Sequence, residues 1–481
     1  MSAAATLRLR WSRVSPISSR LAARSLFWPL LAATGASALF FAIAWLRFAT
    51  YHSSAYDLAF FDQVVWNGAR GDGLRSSLLS YPFLGQHFEP ALNLFVPLYR
   101  LHATPLWLLG AEALALGGAV VPLWALARRW LGGGVRPLVV CAAYLLQVGI
   151  ARALGFDFHT EALAVPFVFV ALLGAARGDT LLLLLAGVAP MLCKEDGALV
   201  TLGIAVIALV VHRRRAALVL GGVAVAGGAV VVLGVMPAVR GGASGDLVAR
   251  YAYLGDSAGG VLAHLVTLPG TWLGHLVSAP SGPALLMALA GVGFLPLLRP
   301  VALLASLPAL LLPLLAADPY QGGLRLHYAL QATPLLVCAA MLGWQRVQSS
   351  AHVPRFVPAV ALLGGALATW LALSPLPGGH GPDAVHLDGL DRAPAVDALL
   401  ARIPPGASVA ATGDLLTHLA ERPAIAEFPS RRRAQWVAID RRAGVSAQST
   451  AAGYVTAAAH LGEHGYVRVA TVAGVELWRL P

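Results

Sequence analysis

The chain has 481 residues, 58% of them hydrophobic and only 12% charged, with a mean hydropathy of +0.72. About a quarter of the residues of a soluble globular protein are charged, so this balance excludes an ordinary soluble domain and predicts a polytopic helical membrane protein. The net charge is +11, yet from Leu376 to the C-terminus ten basic residues face ten acidic ones. The surplus therefore lies in the apolar part, where it can set membrane orientation, and nucleic acid is excluded as a partner.

Residues 1–24 contain "LRLRWSRVSPISSRLAAR", basic with no acid, ahead of an apolar run from Ser25 to about Phe48. A cleaved signal is one reading of it; the run is longer than a typical signal core and more spans follow, which favours a signal anchor with a cytoplasmic N-terminus. A transmembrane domain is expected over 25–373. After the first span, further spans are predicted near 105–127, 136–152, 160–176, 180–194, 197–212, 216–236, 282–298, 301–316, 327–343 and 356–373, about eleven in all. Arg128, Arg129, Arg136, Arg177, Arg213, Arg214, Arg215, Arg299, Arg346 and Arg355 all fall in the short loops on the N-terminal side, as the positive-inside rule requires. The opposite side receives the long loops 49–104 and 237–281 and the tail 374–481, predicted as a small extracytoplasmic α/β domain. There "ASVAAT" and "AQWVAID" read as buried strands, Asp414–Ala420 and Gly453–Glu463 as helices, and the last sixteen residues as a hairpin turning at Ala473-Gly474. Cys141, Cys193 and Cys338 all lie in apolar segments, with no disulfide or zinc spacing. No glycine-rich phosphate loop or nucleophile elbow is present.

The ionisable residues gather on the outer side. The first loop holds Asp57, Asp62, Asp72, His87 and Glu89; "GFDFHTE" holds Asp157, His159 and Glu161; "CKEDG" holds Glu195, Asp196 and Lys194, the chain's only lysine; "DPYQGGLRLHY" holds Asp318, Tyr320, Arg325, His327 and Tyr328. Four separate segments thus bring charge to one membrane face, and charge at membrane depth is costly and usually functional. Within the first loop, Ser54 to Asp57 fits an S-x-x-D cap. The helix that follows, to Arg70, places Leu58, Phe61, Val65 and Ala69 on one arc and Asp62, Gln63, Asn67 and Arg70 on another. It is expected to lie on the membrane rather than cross it. Asp57 and Asp62, five apart, do not share a face. Plainer readings stand beside these: Asp57 as a cap, Asp62 as a solvated face residue, His87 and Glu89 as an interfacial entry. His159 and His327 can be satisfied interface histidines, and the Lys-Glu-Asp triplet a polar turn. Asp157, His159 and Glu161 alternate, and on a helix alternate residues diverge by about 200°, so they cannot chelate a metal as a unit.

"YDLAFFDQVVWNGARG", "QHFEPALNLFVPLY", "FDFHTEALAVP", "KEDGAL" and the late "HY" together resemble the domain of unknown function 2079 family of bacterial polytopic membrane proteins. The wider architecture resembles the GT-C superfamily of integral-membrane glycosyltransferases: all-α, with juxtamembrane helices and an acid in the first external loop. The resemblance implies a polyprenyl-phosphate-linked sugar donor and an extracytoplasmic acceptor (glycan, lipid or protein) at the plasma membrane. It places the catalytic acid on Asp57 or, failing that, Asp62. Relatives that transfer aminoarabinose or mannose show adjacent Asp-Glu in that loop, whereas Asp57 is followed by Leu58. On this reading a carboxylate takes the acceptor proton and Lys194 and Arg325 meet the departing phosphate. His87, Glu89, Asp157, His159, Glu161, Glu195, His327 and Tyr328 would bind the sugar. The donor is already activated, so no second acid is required and no cofactor is expected, a divalent metal being the less favoured option. The competing expectations are a lipid-linked saccharide flippase or transporter, for which Glu112 is the mid-span acid, and a non-catalytic scaffold.

Overall fold

The structure is a computed structural model and describes residues 19–242, 248–348, 350, 352–381, 389–442 and 451–481. Most of the basic N-terminal segment and part of the loop 237–281 lie outside the described residues. Helix α1 (Ser19–Ala49) leads into a π-helical turn, Ala55–Ala59, and then α2 (Phe60–Arg70). The apolar helices that follow include α3 (Leu106–Leu131), α4 (Arg136–Leu145), α5 (Val148–Leu154) and α6 (Glu161–Arg177). Beyond them come α7 (Gly197–Val210), α8 (Arg214–Arg240), α9 (Thr333–Gln348) and α10 (Val357–Leu373).

Among the described residues, length and apolar composition suffice for membrane crossing in three helices: Leu26–Ala49 within α1, α3 and α8. The total reaches five if the α4–α5 pair, bent by 42°, and the pair Gly259–Thr267 and Pro269–Val277, bent by 88°, each count once. Several of the expected spans are shorter or broken. The segment expected at 301–316 divides into Pro300–Leu304 and Leu307–Leu314, and α9 begins only at Thr333, which leaves His327 and Tyr328 outside any helix.

The bundle core is made of side chains that these helices share. The Tyr144 hydroxyl donates to Leu116 O at 2.8 Å and its ring meets Phe169 edge-on. Close approach at Gly343 is obligatory, because a Cβ there would lie 2.0 Å from Leu295 O. Small residues serve the same purpose wherever helices pack in lipid. One end of the bundle is rich in arginine: Arg129 and Arg213 donate to Ala176 O and Ala175 O at the end of α6. Glu161 begins that same helix, about 24 Å away at 1.5 Å per residue. Glu161 and the Arg129–Arg213 pair therefore stand at opposite ends of α6.

The tail forms a five-stranded mixed sheet in the order β2-β1-β3-β5-β4, with β1 Val409–Ala411, β2 Ile425–Glu427, β3 Trp436–Asp440, β4 Val467–Val472 and β5 Val475–Arg479. The hairpin turns where expected, with Ala473 and Gly474 both at positive φ (51° and 85°), as a two-residue turn between twisted strands demands. The helix expected at Asp414–Ala420 is one turn, Gly413–Leu416. A second helix is Ala451–Ala459. Central β3 is buried along its whole length, with Trp436 and Ala438 in one core and Val437 and Ile439 in the other. The first of those cores also contains Tyr51, Ala55 and Ala59, so the tail domain is built onto the first loop.

Candidate functional site

The chain leaves α1 through Thr50–Ser54 and brings Asp57 back over the acidic end of the bundle. Ser54 does not cap this turn with its side chain; instead its backbone N–H donates to Asp157 Oδ2 at 2.7 Å. The capping expectation is corrected accordingly. Arg47 Nε approaches the same carboxylate at 3.6 Å. Burial, against the pull of Arg47, raises the Asp157 carboxyl to about 6.

Asp157 and His159 precede α6 rather than lie on it, so this stretch does not follow helical spacing. Its three ionisable groups point to three different partners. His159 Nδ1 meets Asp157 O at 2.9 Å and its Nε2 lies 3.2 Å from Asp57 Oδ1. Glu161 pairs with Lys194. The His159 ring stacks on His327 with centroids 3.6 Å apart, and His327 Nε2 lies 3.8 Å from Glu161. Phe156 stacks on both histidines and Tyr328 borders His327. Among the described residues, no three His, Cys, Asp or Glu side chains converge as a metal-ligand set.

The Lys-Glu-Asp turn is held by tight packing, since a Cβ at Gly197 would fall 1.9 Å from Pro190 O. Each member has a separate partner: Lys194 takes Glu161, Glu195 takes His87 Nδ1 (2.9 Å) and Phe88 N (3.0 Å), and Asp196 accepts from Gln331 at 2.6 Å. Glu89 is wholly buried beside Lys194, with no hydrogen bond to either oxygen, the Thr160 hydroxyl donating to Cys193 O. Two expected roles change here. Lys194 already neutralises a buried carboxylate, and Glu89 has no surface to offer a sugar. Asp57 remains partly exposed, its side chain at 18%, against 4% for His159 and 3% for Glu161.

Asp62 lies outside this cluster. It is buried in α2, accepts from the Tyr99 hydroxyl at 2.7 Å and faces Glu421. Burial and Glu421 push its carboxyl well above the ordinary range. The polar arc of α2 also differs from expectation. Gln63 is buried and donates to Arg422 O at 2.9 Å, while its oxygen accepts from Ser76 and Ser77. The Asp62 and Gln63 part of that arc is covered by the tail domain, whereas Arg70 at its end is exposed.

Arg325 is separated from Lys194. It lines a cavity of about 290 Å³ with Arg152, Gln147 and mainly apolar neighbours, among them Val148, Met287, Leu310 and Leu336. Leu324 and Leu326 on either side of it have φ of 49° and 54°, which turns the backbone so that Arg325 and Ala329 face the cavity while His327 stacks on His159.

Arg47, Gln331 and Arg250, whose guanidinium donates to Gln321 at 2.9 Å, are polar members of this region that the sequence reading passed over. The end position of Arg47 after a long apolar run is a signal that could have identified it. Glu112 of α3 is buried, with its carboxylate toward the backbone of His159.

Residues 47–473 match the family model described as "Predicted membrane protein (DUF2079)", and the chain belongs to that family. No curated protein matches. Among solved structures, the chain is similar to the crystal structure of ArnT from Cupriavidus metallidurans bound to undecaprenyl phosphate. The two share 14% identity over 94% of this chain and 98% of that one, with a TM-score of 0.49, a likeness too low to bear on function.

Proposed function

We propose that this family member is a glycosyltransferase that moves a sugar from a polyprenyl-phosphate donor to an acceptor hydroxyl at the outer face of the plasma membrane. In this reading the N-terminus is cytoplasmic and the tail domain extracytoplasmic. The observation that carries it is the segment 325–329. One side presents Arg325 to an apolar cavity, and the other presents His327 to the His159–Asp57 pair. An apolar chamber with a cationic rim suits a lipid phosphate, and a partly exposed carboxylate beside it suits an acceptor hydroxyl.

The chemistry follows from those positions. The acceptor oxygen attacks the anomeric carbon and forms the new glycosidic bond. The bond from that carbon to the phosphate oxygen breaks, and its electron pair leaves with the polyprenyl phosphate. Asp57 takes the hydroxyl proton, as a general base within hydrogen-bond reach does. His159 holds Asp57 in place and His327 backs His159. Arg325, beside Arg152, meets the charge on the leaving phosphate. Lys194 and Glu161 act as a buried strut beneath the histidines rather than as phosphate ligands. The mechanism asks for no metal, so turnover is expected to survive chelation by EDTA.

Transport is the reading to separate from this one, because a buried acid within a span, Glu112, and the broken α4–α5 pair are features a transporter uses. The experiment incubates the protein in nanodiscs with a panel of polyprenyl-phosphate sugars and follows release of free polyprenyl phosphate. Release by the wild type and its loss in Asp57→Asn, with donor still bound, supports the transferase. Saturable donor binding without release by either protein favours transport.

A further inference from the structure

A second cavity, of about 360 Å³, lies at the far end of α2, between the first loop and the tail domain. Trp66, Asn67, Arg70, Arg75, Ser80 and Tyr81 line it, and Pro423 of the tail domain closes it. Its walls are fixed by hydrogen bonds. Asn67 Nδ2 donates to Arg75 O (2.9 Å), the Ser77 hydroxyl to Ile425 O (2.8 Å) and Arg432 to Ser77 O (2.9 Å). The Arg70 guanidinium stands 4.7 Å from the Trp66 ring centre. Among the described residues, neither Arg70 nor Arg75 forms an ion pair. Asp72 is the one acid in the lining, so the cavity carries a net positive charge.

Two exposed guanidiniums, an aromatic ring, a serine hydroxyl and a single carboxylate in one preformed cleft form a recognition set for a charged carbohydrate. Guanidinium groups pair with planar carboxylates and with phosphates. Asp72 and Ser80 supply an acceptor and a donor for sugar hydroxyls. The cavity is thirteen residues along the chain from Asp57, about 20 Å at helical rise. The tail domain lies along α2 between the two places, with Gly413 against Ala55 and Ile425 against Ser77. We infer that this cavity binds an anionic sugar residue of the acceptor, its carboxylate or phosphate against Arg70 and Arg75, several sugars away from the hydroxyl that is glycosylated. The inference rests on the transferase reading for the word acceptor, but the binding itself does not.

The test is calorimetric titration of the full-length protein in phosphatidylcholine nanodiscs with three probes: trigalacturonate, maltotriose carrying one 6-phosphate, and plain maltotriose. At least one anionic probe is expected to bind about tenfold or more tighter than maltotriose, and the probe that binds distinguishes carboxylate from phosphate recognition. The double variant Arg70→Gln/Arg75→Gln is expected to lose that preference by a similar factor, with an unchanged melting temperature. Binding by Asp57→Asn is expected to match the wild type. Equal binding of all three probes, no binding of any, or an unaltered preference in the double variant overturns the inference. Donor turnover is read separately: binding without turnover removes the transferase and leaves the cavity's ligand standing, whereas turnover without binding does the reverse.

Discussion

Asp57 and Asp62 lie five residues apart on one short segment and have opposite environments. Asp57 is partly exposed and held by a histidine at 3.2 Å. Asp62 is sealed under the tail domain, bonded to a tyrosine hydroxyl, with its other oxygen unpartnered. A carboxylate of the first kind stays reachable from solvent. One of the second kind is driven toward its neutral form by burial and works as part of a packed seam. The lesson is that acidity in this loop does not define the site; the elements that cover each acid do. Around Asp57 they are histidines with further ionic support. Around Asp62 they are Gln63, Tyr99 and the backbone of a distant domain.

The largest expected effect separates the two acids directly. Asp57→Asn is expected to lower the rate of polyprenyl-phosphate release by about 10²–10⁴-fold, the usual contribution of a general base. Asp62→Asn, which keeps shape and hydrogen bonding, should leave release within about threefold. Equal losses in both variants would erase the distinction. The next effect is on stability. Lys194→Met strands the buried Glu161 carboxylate and is expected to cost about 3–5 kcal/mol, most of it recovered by adding Glu161→Gln. Thermal unfolding followed with a thiol-reactive dye reads this change, because Cys141, Cys193 and Cys338 are all buried in the membrane half.

The seam around Asp62 predicts a smaller, local change. Gln63→Ala leaves Arg422 O and the Ser76 and Ser77 donors without their partner, at about 1–3 kcal/mol. Amide exchange at Ile425, whose N–H donates to the Ser77 hydroxyl, should accelerate while donor turnover persists. Unchanged exchange would mean the seam contributes little to docking.

The smallest expected effect is a pH slope. Burial, reinforced by Asp440, raises Asp414 to about 7, and burial lowers His418, stacked between Phe48 and Tyr51, to about 4. The folded state holds the Asp414 proton more tightly than the unfolded chain does, so that contribution falls as pH rises from about 4 to 7. His418 behaves oppositely: the unfolded chain binds its proton more tightly, so its contribution grows as pH rises from about 4 to 6.5. The wild-type tail domain should therefore melt at nearly constant temperature across that window. Asp414→Asn should reveal a rising slope of at most ~1.4 kcal/mol per pH unit, read from domain melting by circular dichroism. A flat profile in the variant would remove His418 from the account.

What the sequence disclosed depended on how local its cause was. The terminal hairpin was legible because Ala473-Gly474 carries its own turn chemistry. The acid and histidine set was legible because charge is rare in this chain: contacts link Asp57, His159, His327, Glu161 and Lys194 in series, Asp157 joins through its backbone carbonyl, and His87 and Glu195 form a pair of their own. The burial of Asp62 was not legible, because it depends on a domain some 360 positions away in the chain, through contacts such as that of Gln63 with Arg422. The turn of Arg325 into its own cavity was hidden too, because it depends on positive φ at Leu324 and Leu326, and a leucine gives no sign of such a backbone. Strand β2 is three residues long, too short for any alternation to declare it.

The two left-handed leucines beside Arg325 make that segment a matter of counting. Each holds a backbone conformation that costs a non-glycine residue about 1 kcal/mol or more and persists only where its surroundings enforce it. Removing Leu326 would carry His327 off its stack on His159 and bring Tyr328 into its place. Segment 324–329 should thus accept almost no insertion or deletion, a ruler whose length keeps Arg325 in its cavity while His327 stays on His159.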